Sequence, residues 1–106
     1  MESVVINIAK DFSKYPAGRY RADGEFSGEV FRDDHLLPAI KNADEVCINL
    51  DGGMGYGSSF LEESFGGLVR KHHISPSLLH NKLKIISDED PTLINEIWEY
   101  IDQAED

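Results

Sequence analysis

The sequence predicts a small α/β domain in which a mixed or parallel sheet of three to five strands packs against helices. Three observations predict it. Short β-branched runs at Ser3 to Ile8, Glu45 to Leu50 and Leu83 to Ser87 alternate with longer stretches whose apolar residues recur at helical spacing, giving the order βαβαβα. The length of 106 residues fits one domain, 1–106, with enough chain to bury a core without disulfide or metal staples. The composition, 41% hydrophobic and 28% charged, is that of a globular chain.

The elements follow in order. SVVINI (Ser3 to Ile8) is short, β-branched and ends in polar residues, as a strand does. Lys10 to Phe26 is rich in glycine, proline and charge and reads as an ordered loop or irregular hairpin, with a short second strand at Arg19 to Ala22. Ser27 is placed to cap a helix, Glu29 favours its positive end, and Val30, Asp33/Asp34, Leu37 and Ile40 mark a helical run toward Ala43 that Pro38 should kink or split. EVCINL is the central strand, with Val46, Ile48 and Leu50 on one face and Cys47 and Asn49 on the other. Cys47, the only cysteine, reads as a small core residue and rules out a disulfide framework.

Glycines 52, 53, 55 and 57 then punctuate a turn, and Phe60, Leu61, Phe65, Leu68 and Val69 define a second helix from about Ser59 to Lys71. Ser59 and Glu62 match a capping box, which leaves Ser58 outside the cap and exposed. LKIIS supplies the third strand. Asp90 and Pro91 open a last helix whose Leu93, Ile94, Ile97, Trp98 and Ile101 share one face.

Charge narrows the function. Twenty acidic against ten basic residues, a net charge of −10, disfavours attraction to nucleic acid or anionic membranes. No apolar run reaches the ~18 residues of a membrane span and no basic, apolar leader precedes the first strand, so the expected location is cytoplasmic. No metal site is expected, because His72, His73 and His80 lack matching ligand spacing and suit the end of a helix better. A nucleophilic elbow, a P-loop and a dinucleotide fingerprint are all missing from the glycine-rich turn, so neither catalysis nor a cofactor is expected.

The residues with most chemical content lie in INLDGGMGYGSSF. A carboxylate, Asp51, ends a strand, a glycine turn follows, and Ser58 and Ser59 open a helix, which is where α/β sheets tend to bind ligands or partners. Arg19, Arg21 and Arg32, three of the four arginines, sit in or beside the Gly18 to Gly28 segment. If that segment folds over the helix start, Arg19 or Arg32 pairs with Asp51 or Glu63, or holds an anion or nucleotide beside Ser58.

This arrangement resembles the STAS domains of bacterial anti-sigma factor antagonists, in which an Asp-Ser-Ser/Thr-Gly motif near the same junction is phosphorylated on its first serine by an ATP-binding partner kinase. Ser58 matches that serine and Ser59 the second hydroxyl, while Gly57 stands where those domains have Asp and Phe60 where they have Gly. A closer likeness, carried by PAGRYRADGEFSGEVFR (Pro16 to Arg32) and INLDGGMGYGSSFLEESFGGLV (Ile48 to Val69) and covering nearly all of the chain, is to the STAS-like domain family of unknown function. That resemblance implies a single STAS-like domain. It further implies a non-enzymatic signalling module that docks a GHKL-type, histidine-kinase-like ATP-binding partner, with partner switching at Ser58.

Overall fold

The computed structural model describes residues 2–105. Three strands, β1 (Ser3–Asn7), β2 (Glu45–Asn49) and β3 (Leu83–Ile86), form a sheet of order β1-β2-β3. Both pairings are parallel, with Val4 opposite Val46, Ile6 opposite Ile48, and Ile48 opposite Ile85. Five helices accompany them. α1 (Ile8–Asp11) follows β1 directly. α2 spans 28–42 as Gly28–Phe31, a widened π turn at Arg32–Leu36, and Leu37–Asn42. α3 spans 58–70 as Ser58–Leu61, a second π turn at Glu62–Gly66, and Gly67–Arg70. α4 (Pro76–Lys82) precedes β3, and α5 (Thr92–Gln103) ends the chain.

The strand order places the layers. Each crossover steps to the next strand in the same direction, and right-handed crossovers then carry α2 and α3 over the same face. On that face Ile6, Val46, Ile48 and Leu83 are buried and join Phe31, Leu36, Phe60, Phe65 and Leu68 in one apolar cluster. The last helix adds Ile97 and Ile101 to the same cluster by packing on α3. Among the described residues no such cover lies on the opposite face of the sheet. Val5 is 66% exposed there, beside half-buried Cys47 and an ion pair between Lys84 and Glu45. Cys47 is therefore not the core residue expected, because the strand pleat turns it away from the helices.

Several local expectations change for identifiable reasons. No strand forms at Arg19 to Ala22; a single 3₁₀ turn (Arg21–Asp23) stands there, with the Asp23 carboxylate accepting from the amides of Arg19 and Tyr20. Pro38 does not split α2, which runs unbroken from 28 to 42. The π turn just before it, where the Leu37 amide donates to Arg32 five residues back, relieves the conflict a proline makes with the preceding turn. Ser27 does cap α2, its hydroxyl accepting from the Val30 amide at 3.3 Å. At the far end of α3 the chain turns through His73 at φ +58°, with His73 and Ile74 amides returning to Val69 and Leu68, a Schellman closure. Ser75 then caps α4, a short helix with no counterpart in the sequence reading. No helix among the described residues is long and apolar enough to cross a membrane.

Candidate functional site

The serines sit where α3 begins. Gly57 is the residue before the helix (φ −70°, ψ 149°), and its carbonyl accepts from the Leu61 amide at 3.1 Å. Ser58 and Ser59 are the first two helical residues and both are exposed. The capping box of Ser59 and Glu62 does not form. Glu62 instead turns to two guanidiniums, Arg19 (2.5 Å) and Arg70 (2.7 and 3.1 Å), since three charge-assisted bonds outweigh one to a backbone amide.

Asp51 faces another way. Its carboxylate accepts from the amides of Asp88 (3.3 Å) and Glu89 (3.0 Å), and Glu89 accepts from the Gly52 amide (2.8 Å), so the loops after β2 and β3 are latched together. It meets neither Arg19 nor Arg32. Tyr56 closes the same turn by donating to the Leu50 carbonyl at 2.7 Å, and burial beside Asp51 and Glu89 pushes its hydroxyl up to about 12.

Arg32 and Glu63 form the centre of an ion network between the two long helices. Arg32 is 2% exposed and Glu63 1%, and they meet at 2.6 Å, with a second bond of 3.1 Å to the Glu63 carbonyl. Arg32 also holds Asp33 (2.8 Å), which binds His72 (2.9 Å); Arg19 (3.1 Å) and Arg70 (3.2 Å) reach the other oxygen of Glu63. Burial opposes the charge on Arg32, but the hydrogen bonds it donates to Asp33 and Glu63 overcome it and raise its pKa. Both π turns begin at this network, at Arg32 in α2 and at Glu62 in α3. Gly67 makes room for it: a Cβ there would lie 2.4 Å from Arg32 Nη1. The loop between β1 and α2 is tied in through Arg19, so the arginines that the sequence places beside Ser58 are directed into carboxylates.

The network sets an acid limit on stability. Burial works to raise Asp33 and Glu62, but bonds from Arg32 and His72 to Asp33, and from Arg70 and Arg19 to Glu62, hold both below their ordinary values of 3.8 and 4.5. The folded state thus binds fewer protons than the unfolded chain in this range, and the stabilisation, complete above about 4.5, is lost as pH falls through the folded values. The melting temperature should fall on acidification below that point. Glu62→Gln should flatten this acid limb in a pH series of thermal melts.

Exposed apolar side chains stand on the loops tied to the helix that the serines open. Tyr15, Phe26 and Met54 are among the large hydrophobic residues left exposed, Met54 at 68%. The Met54 amide donates to Lys14 (2.9 Å), and Phe26 packs edge-on against Phe12, which in turn touches Phe60 on the first turn of α3. The loops bearing the three residues are thereby fixed around the start of that helix.

Of the sequence-predicted residues, the structure brings Arg19, Arg32 and Glu63 together, keeps Gly57, Ser58 and Ser59 on the surface beside them, and sets Asp51 apart in the loop latch. Glu62 as an ion partner, Arg70, Asp33 and His72 were not anticipated. The signal available was the Glu-Glu pair inside an apolar helix, followed by two adjacent glycines and an arginine. Comparison with family models matches residues 27–93, more than half of the chain, to the STAS-like domain of unknown function, and the chain belongs to that family. The match begins at Ser27, so the Arg19 loop precedes it. Comparisons with curated proteins and with solved structures found no match.

Proposed function

We propose that this STAS-like domain acts by docking another protein, not by catalysis, and that the docking surface is the end of the molecule where α3 begins. The observation that supports it most is that Ser58 and Ser59 are exposed, as are Tyr15, Phe26 and Met54 on loops bonded or packed to one another near the start of α3. Aromatic residues and methionine are enriched at the cores of protein interfaces. The partner is an ATP-binding regulator of the GHKL, histidine-kinase-like type, and its ATP phosphorylates Ser58.

A phosphate on Ser58 would bring about 1.5 to 2 negative charges to a helix end whose first amides carry no side-chain cap. Glu62 lies one turn above, its amide donating to the Ser58 carbonyl. The phosphate therefore competes with Glu62 for Arg19, which is 31% exposed and tethers the loop carrying Tyr15 and Phe26. Partner release follows from added charge and from loosening of that loop.

The test is incubation with the ATP-binding regulator and ATP, followed by mass spectrometry and affinity measurement. Phosphate on Ser58, loss with Ser58→Ala, and weaker binding of Ser58→Asp are expected. Met54→Asp and Phe26→Asp should each weaken docking by at least about 2 kcal/mol, roughly thirtyfold. Docking unchanged in all of these variants would overturn the reading; docking lost only in the apolar variants, with Ser58 unmodified, would leave the surface and remove the switch.

A further inference from the structure

A second surface lies at the other end of the sheet. Ser58 follows the carboxyl end of β2, whereas the C-terminal turns of α2 and α4 lead into the amino ends of β2 and β3. Between those turns is an open groove of about 450 Å³ lined by Ile40, Lys41, Ile74, Leu78 and Lys82, together with His73 and Ser75. Its volume is within the ~300–1,000 Å³ of small-ligand sites, but it is an open trough with Leu78 44% exposed, a shape that admits side chains of another chain.

The charge of the groove is opposite to that of the protein. The chain carries −10, yet among the described residues no carboxylate lines this trough, and two lysines do. All four arginines and Lys84 are held in ion pairs elsewhere. Lys41 and Lys82, by contrast, have no carboxylate partner among the described residues. Lys82 donates once, to the Ile40 carbonyl at 2.6 Å, which fixes its ammonium across the groove and leaves two of its three donors for an incoming acceptor.

We propose that this groove is a second docking site, and that its occupant is an acidic segment of a partner protein with bulky apolar anchors. The anchors cover Leu78 and Ile74, and the carboxylates meet Lys41 and Lys82. Placed at the end away from Ser58, such a site lets the domain hold two proteins at once, and it stands independently of whether the Ser58 end binds an ATP-binding regulator.

Selection from a random peptide library displayed on phage tests this, with the full chain as bait. Enriched peptides should combine Asp or Glu with Leu, Ile or Phe, should shift the backbone amide resonances of residues around Lys41, Leu78 and Lys82, and should bind at least about tenfold more weakly to Lys41→Glu and to Leu78→Asp. Both substitutions fall on exposed side chains, and thermal melts equal to the parent would show that the fold is intact. Enrichment of basic peptides, of peptides that shift the Ser58 end instead, or of none would overturn the proposal. So would concentration-dependent self-association abolished by Leu78→Asp, which would make the groove a contact between copies of this chain.

Discussion

Replacing Glu63 with alanine is expected to destabilise the domain by about 3–5 kcal/mol, seen as a melting temperature lower by roughly 15–30 °C. The cause is a cation left behind. Arg32, 2% exposed, would keep its bonds to Asp33 but lose the carboxylate at 2.6 Å, deep between α2 and α3. Arg19 and Arg70 would still have Glu62, so the loss falls on the buried pair. Arg32→Met alone should cost less, because Glu63 keeps Arg19 and Arg70 on its other oxygen, and the double variant Arg32→Met with Glu63→Leu should recover most of the Glu63→Ala loss, since an apolar pair of similar volume often matches a buried ion pair in stability. Urea titrations of the three variants measure this. Additive losses in the double variant would mean that the pair also fixes the helix geometry and that apolar packing cannot replace it.

Gly28→Ala should also destabilise the domain. An added Cβ would stand 2.7 Å from the Phe60 carbonyl, 3.0 Å from the Glu63 Cβ and 3.2 Å from the Ser64 amide. The first and last of these are backbone atoms of α3, which cannot swing aside as a side chain would. Overpacking of this kind costs about 1–3 kcal/mol or more, while the gain in helix propensity on replacing glycine is at most about 1 kcal/mol. The net is a loss, and because it forces α2 away from α3 it also strains the Arg32–Glu63 contact. Gly57→Ala is the control: nothing lies within 4 Å of its added Cβ. Thermal melts of the two variants should differ clearly, and equal melts would show that α2 can shift at no cost.

The sequence reading located the three strands, the cap at Ser27 and the α/β order because these are local properties, set by β-branched runs and by a hydroxyl within reach of an amide three residues on. The facing of β2 followed from the same alternation, with Val46 and Ile48 inward. The failures share a cause too. Ser59 and Glu62 satisfy a capping box by spacing alone, but Glu62 has two guanidiniums within reach that come from positions 19 and 70, which no local rule can weigh. The π turns and the fate of Pro38 depend likewise on α2 and α3 lying against each other. Arg32 was singled out for its place beside a predicted loop; its burial under Gly67 is a property of the packed pair of helices. Asp51 was assigned by position at a strand end, and the amides it serves belong to the loop after β3.

The sheet order bears on how the chain reaches this state. Each strand pairs with its neighbour in sequence, so each pairing closes a loop of only about forty residues and none waits for the far end of the chain. Arg32 and Glu63 both lie ahead of β3, so the first βαβ half with α3 can assemble while the remainder is still being synthesised. With the last helix closing afterwards over the 62–66 stretch of α3, where the Tyr100 carbonyl comes to lie beside Gly66, that flank is left bare in the first half and is the surface on which partly folded chains would associate.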